Sequence, residues 1–164
     1  MAKQKRISKA SKQVDRYFLI TKVFLAVTPL ICYFYVSMQA LMHKLTFQQM
    51  LVQDPNITII FLIAMVNPYV AYLVNLIEKK LKAGNHMFAT INMVLLLIAQ
   101  ILTMNVFYFI MLAYVFYKAV HYYHVDIRSS LKEITVKQSF FCGGGSIFVM
   151  FISSICLFAT IQLL

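Results

Sequence analysis

The chain has 164 residues, 62% of them hydrophobic, with 15 Lys and Arg against 5 Asp and Glu and a net charge of +10. Soluble domains run at roughly 45–50% apolar, so this composition excludes an ordinary water-soluble fold. The basic balance does not point to nucleic acid, because the cations flank apolar stretches; contact with a lipid bilayer bearing anionic headgroups accounts for them.

Residues 1–16 carry Lys3, Lys5, Arg6, Lys9, Lys12 and Arg16 and read as a basic cytoplasmic segment. Residues 17–164 read as a single transmembrane helical domain. A span needs about 20 apolar residues. Phe18 to Ala40 carries one charge, Lys22, so 18–40 is the expected first span. Lys22 lies in its first turns and is expected to snorkel back to the headgroups. The stretch is longer than the roughly 7–15 residues of a signal-peptide core, so it reads as retained.

Residues 41–56 read as a loop with one cation, Lys44. Asn56 is expected to cap a second span over 57–77. The sequon Asn56-Ile57-Thr58 sits at the membrane boundary, where glycosylation is not expected. Pro29 and Asn67-Pro68 lie near the middle of the first two spans, and Ala64, Asn67, Ala71 and Asn75 share one face of the second. Each proline removes a helix hydrogen bond, and in lipid the freed carbonyl needs another partner. Two readings follow: kinked helices packed through a small polar face, or a midplane polar site built on Pro29, Asn67, Pro68 and Asn75.

Met87 to Tyr117 is charge-free. One helix over that length would measure about 46 Å, against a hydrocarbon core of about 30 Å. Two short spans, about 85–103 and 106–123, turning at Met104-Asn105, fit better. Setting Lys22 aside, five spans place 13 of the remaining Lys and Arg on the cytoplasmic side and 1 outside, whereas four place 9 and 5. Cations stay cytoplasmic. The expected fold is therefore an all-α integral membrane protein, a polytopic bundle of five transmembrane helices with a cytoplasmic N-terminus. The alternative is four, with one long tilted third helix. Ala89, Asn92, Leu96, Gln100 and Thr103 line one side of the third span.

With five spans, residues 124–138 read as an amphipathic cytoplasmic segment. Ser130 and Glu133 fit a capping box. Ile127, Leu131 and Ile134 make an apolar stripe beside Arg128 and Lys132, which suits either anionic headgroups or a docked partner. His121, His124 and Asp126 have a spacing that could serve a metal. The adjacent Tyr122 and Tyr123 read instead as an interfacial belt, and no metal is expected. The last span, about 140–164, opens on Gly143-Gly144-Gly145, read as a hinge; no phosphate loop follows. Ser146, Ser153 and Cys156 belong to a heptad-like seam of small residues, facing either the bundle or a partner. Cys32, Cys142 and Cys156 all fall in apolar segments and read as reduced packing residues.

No catalytic residue and no cofactor is expected. The acids Asp15, Asp54, Glu78, Asp126 and Glu133 all lie outside the predicted membrane cores, and none of the common catalytic motifs occurs. The sequence points to a non-catalytic accessory, scaffold or immunity-type subunit of a larger membrane complex, with another membrane protein or itself as partner. The alternative is a small oligomeric transporter or channel using a midplane polar site at Asn67-Pro68. Abundant Lys, Phe, Ile, Met and Tyr suggest an AT-rich genome and a bacterial cytoplasmic membrane.

Overall fold

The computed structural model describes residues 2–123 and 136–163, with side chains for 12–123 and 143–163. The described residues are all-helical: α1 Ala2–Met42, α2 Phe47–Gln53, α3 Pro55–Lys82, α4 His86–Leu102, α5 Val106–Tyr123 and α6 Val136–Leu163. Three helices are long and apolar enough to cross a membrane: α1 from Lys12, α3, and α6 from Gly143. This is the architecture of an integral membrane protein. The shorter α4 is also apolar. The charge-free middle of the chain is not one helix, since it breaks between Leu102 and Val106.

Local chemistry explains where the helices stop. α1, α3 and α4 each end in a left-handed residue, namely Lys44 (φ 57°), Gly84 (φ 81°) and Met104 (φ 52°). In each case the next two amides turn back on the last carbonyls. Asn105 N donates to Gln100 O at 3.0 Å and Met104 N to Ile101 O at 2.9 Å, and the same pattern recurs at Gly84-Asn85 and Lys44-Leu45. This is the Schellman arrangement. Glycine adopts the left-handed region without cost; the lysine and methionine do not.

The segment 41–56 is not a plain loop, because it holds α2. Thr46 Oγ1 accepts from Gln49 N, and Gln49 Oε1 accepts from Thr46 N at 2.9 Å, closing a capping box. Asp54, not Asn56, caps α3: its Oδ1 accepts from Asn56 N at 2.9 Å and Ile57 N at 3.3 Å, and Pro55 takes the first helical position. Proline is well placed there because its missing N–H would have no partner anyway.

α1 packs antiparallel along α3, α6 packs against α4 and α3, and α5 bridges α1 and α4. Two apolar clusters result. The larger joins Phe18, Leu25, Val74, Ile77, Met93, Leu96, Leu112 and Val149 across five helices. The smaller holds Cys32, Val36, Ala40, Met50, Ile57 and Ala64, where α1, α2 and the first half of α3 meet. Gly143-Gly144-Gly145 is not a hinge, because it lies inside α6. A Cβ on Gly145 would stand 2.7 Å from Leu73 Cδ2 and 3.0 Å from the Tyr69 hydroxyl. The glycine is what lets α6 lie close on α3. Close backbone approach of this kind is how membrane helices gain packing energy when the hydrophobic effect between them is absent.

α1 and α3 run as continuous helices through Pro29 and Pro68. Neither proline breaks its helix. Each removes one i→i−4 bond, leaving the carbonyls of Leu25 and Ala64 without their usual donor.

Candidate functional site

Polar side chains collect at two levels. The first is an ion-pair layer where the apolar stretches of α1 and α3 end. Lys22 Nζ meets Glu78 Oε2 at 2.7 Å, Lys82 Nζ meets Glu78 Oε1 at 2.7 Å, and Lys82 Nζ also reaches Asp15 Oδ1 at 2.9 Å. Lys22 Nζ donates to Asn75 Oδ1 at 3.0 Å as well. Glu78 is therefore held by two ammonium groups, one from each helix, and is 8% exposed. The sequence-based expectation that Lys22 snorkels to headgroups is corrected: its charge is neutralised inside the chain. Asn75 is corrected too, since it belongs to this layer and not to the midplane. The antiparallel register produces both results. Residues 22 and 78 both sit at the ends of charge-free stretches, so pairing α1 with α3 brings them together.

Aromatic residues ring the same end. Tyr17 and Tyr114 meet edge to face with centroids 5.1 Å apart, and Lys118 lies 5.6 Å over the Tyr114 ring. Lys80 lies 5.9 Å from the Phe88 centroid. Tyr122 and Tyr123 pack against the larger core cluster, and exposed His121 stacks on Tyr117. His124 and Asp126 lie outside the described residues. Among the described residues, no group of His, Cys, Asp and Glu is arranged to hold a metal.

The second level surrounds Asn67. Asn67 is 2% exposed and its Nδ2 has no hydrogen-bond partner. It stands between two cavities. One, of about 420 Å³, is walled by α1 (Thr28, Ile31, Cys32, Tyr35), by α3 (Ile60, Ile63, Ala64, Asn67) and by the α4–α5 turn (Thr103, Met104, Asn105). The other, of about 10 Å³, lies toward α4 and α6 and includes Gln100, whose Oε1 is also unpartnered, and Ser153. Pro68 points outward and Pro29 is half-buried; neither lines either cavity.

The turn explains the larger cavity. Thr103 and Met104 share its walls with Ile60 and Ile63, so the α4–α5 hairpin stops roughly 10 Å short of the first residue of α3, at 1.5 Å per residue. Above the turn, α1 and α3 continue and nothing from the hairpin fills the space between them. The turn at residues 103–105 itself lines the cavity. Below it, the Tyr108 hydroxyl hydrogen-bonds to Thr28 Oγ1, which donates to Phe24 O at 2.9 Å and so ties α5 to α1.

The seam on α6 faces inward. Ser146 Oγ donates to Asn92 Oδ1 at 2.7 Å, and Ser146, Val149, Ser153 and Cys156 are buried. The side chain of Cys142 lies outside the described residues. So does the amphipathic stretch with Ile127, Arg128, Leu131, Lys132 and Ile134. Sequence reasoning missed Thr28, Cys32, Tyr35, Thr103 and Asn105 as cavity residues. Only the hairpin break at Met104-Asn105 signals them, and that break says where the turn is, not how deep it lies.

Among known proteins nothing matches this chain: no family model, no curated relative and no solved structure.

Proposed function

We propose that the chain is a non-catalytic membrane subunit, a five-span bundle with a cytoplasmic N-terminus that anchors a helical basic arm to the bilayer. The observation that carries this reading is the length of α1. Its 41 residues run from Ala2 to Met42 without interruption. At 1.5 Å per residue that is about 62 Å, twice the roughly 30 Å hydrocarbon core. About twenty residues therefore continue past the Lys22–Glu78 layer, and they carry Lys3, Lys5, Arg6, Lys9, Lys12 and Arg16. A basic helical segment continuous with the bundle suits an acidic segment of a partner protein. Anionic headgroups are the competing surface.

The test is purification of the tagged chain in a mild detergent, with the tag at the C-terminus to leave the arm free. A stoichiometric partner is expected. It is lost when Lys3, Lys5, Arg6 and Lys9 are changed to Glu, while the bundle still elutes as a folded particle. A homo-oligomer with no partner would overturn the reading. Topology is checked separately with Val52→Cys in a background without native cysteines. Val52 is 83% exposed on α2, in the segment between the first two spans, so an impermeant maleimide should reach it only from outside the cell.

A small oligomeric transporter or channel is the second reading. Its support is the unpartnered Asn67 amide beside a cavity at membrane depth.

A further inference from the structure

We infer that the seam between α1 and α5 at the charged end is a binding site for an anionic phospholipid, with Tyr17, Tyr114 and Lys118 holding the headgroup phosphate. The site is separate from the basic arm. It rests on the five-span reading only in taking α5 to face lipid.

The cations of this end are not equivalent. The carboxylates described there, Asp15 and Glu78, are both taken by Lys22 and Lys82. Among the described residues Lys118 has no carboxylate partner, and its ammonium lies 5.6 Å over the Tyr114 ring. Tyr17 meets the same ring edge to face, with centroids 5.1 Å apart. The groups that act on the Tyr17 hydroxyl are Tyr114 and Lys118, so the polar ends of these side chains gather at one place. An ammonium beside phenolic O–H donors matches a phosphate, which brings negative charge and several acceptor oxygens; lysine binds phosphate as a point charge. Lys118 is partly buried, and partly buried charges are screened much less than exposed ones. Lys80 rests on Phe88 in a similar way, but phenylalanine has no hydroxyl to add.

What continues along the seam decides between a lipid phosphate and a free one. α5 runs antiparallel to α1, so Phe24 meets Phe107 further along, with centroids 6.1 Å apart. Those rings stand seven residues from Tyr17 and Tyr114, about 10 Å at 1.5 Å per residue. Phe24, Phe107 and Ile110 are exposed and make an apolar strip that starts at the phosphate position. An acyl chain hanging from a phosphate at Lys118 lies along that strip, whereas a free phosphate makes no use of it. Basic positions between membrane helices are where anionic headgroups bind.

The chain has no tryptophan, so Ile110→Trp supplies a single fluorophore at an exposed point on the strip. The full chain is reconstituted in vesicles mixing phosphatidylglycerol and phosphatidylcholine, with brominated acyl chains on one lipid at a time as quencher. Brominated phosphatidylglycerol is expected to quench as though bound about fivefold more tightly than brominated phosphatidylcholine, the effect of one lysine at an anionic surface. Added to this background, Lys118→Gln should remove the preference and Lys118→Arg should keep it. Tyr17→Phe should lower it about twofold, as for one neutral hydrogen bond. Lys80→Gln should leave it unchanged. Quenching in brominated phosphatidylcholine alone reports that each variant still inserts. Equal quenching by the two lipids would overturn the site, and so would a fall with Lys80→Gln as large as with Lys118→Gln, which would mean diffuse surface charge. A preference abolished by inorganic phosphate would reassign the site to a free anion and overturn the lipid. No quenching by either lipid would show that α5 does not face the bilayer, which overturns the five-span reading as well.

Discussion

The two ends of the bundle solve the same problem differently. At the charged end the buried carboxylate is paired within the chain, Glu78 with two lysines and Lys22 with Glu78 and Asn75, while His86 Nδ1 is buried without a partner. Apolar packing there draws on α1, α3, α4 and α5 together, through Val14, Phe18, Leu81, Ala89 and Ala119. At the turn end the hairpin stops early, the core shrinks to α1, α2 and α3, and Asn67 Nδ2 and Gln100 Oε1 are buried without partners. The unpartnered Asn67 and Gln100 atoms lie on facing helices, α3 and α4, beside the same small cavity.

The largest expected effect comes from breaking the charged end. Glu78→Ala leaves Lys22 without its carboxylate at a site where the lysine side chain is 23% exposed. Removing one partner of a largely buried ion pair costs about 3 kcal/mol. Lys82 is spared because Asp15 still holds it. The loss should appear as a lower midpoint in SDS titration followed by circular dichroism. Lys22→Met combined with Glu78→Met should recover most of it, since an apolar replacement of the whole pair removes the uncompensated charge. A double variant no better than Glu78→Ala would mean that the pair does not fix the α1–α3 register.

Gly145→Leu tests the packing that both ends share. The introduced side chain meets Leu73 and Tyr69 at separations that already crowd a single Cβ. Overpacking of this kind costs about 2 kcal/mol, and α6 should separate from α3, lowering the midpoint in the same SDS titration. Gly144→Leu is the control, because a Cβ there meets nothing within 4 Å, and it should be close to neutral.

Legibility in the sequence follows the same division. Charge-free length and the cation count place the helical stretches, because both depend on one residue at a time. The turn at residues 103–105 is legible from the excess length of an uncharged run. The Thr46–Gln49 capping box and the Asp54 cap are local patterns in the sequence, with Asn56 competing for the same role two residues on. The Lys22–Glu78 contact was not legible, since it depends on α1 and α3 lying side by side in one register, and nothing local to residue 22 states that. The depth of the hairpin turn is equally hidden. It depends on where α4 starts relative to α3, which the Gly84 reversal sets.

Asn67→Leu sharpens the contrast from the other side. Leucine is close in size and removes the unpartnered donor. At a purely structural position the change should stabilise the bundle by about 1.5 kcal/mol, the desolvation cost of an unsatisfied buried group. Gain of stability would show that Asn67 Nδ2 is an unsatisfied donor in the folded bundle. Loss of stability would show that Asn67 pairs with Gln100 in solution and that the turn end is as well satisfied as the charged end.

The smallest effect separates the turn itself from what surrounds it. Met104 is in the left-handed region at φ 52°, which costs an ordinary L-residue about 1 kcal/mol. Its side chain is exposed and contributes little to the core. Met104→Gly should therefore stabilise by about 1 kcal/mol, less the few tenths that glycine loses through greater freedom in the unfolded chain. Gly84→Ala at the opposite reversal should cost about the same, because that glycine already occupies the left-handed position at φ 81°. Opposite signs at the two turns would show that the charged end has the residue its backbone demands, whereas the turn end carries a bulkier residue at the mouth of the cavity at some expense in stability.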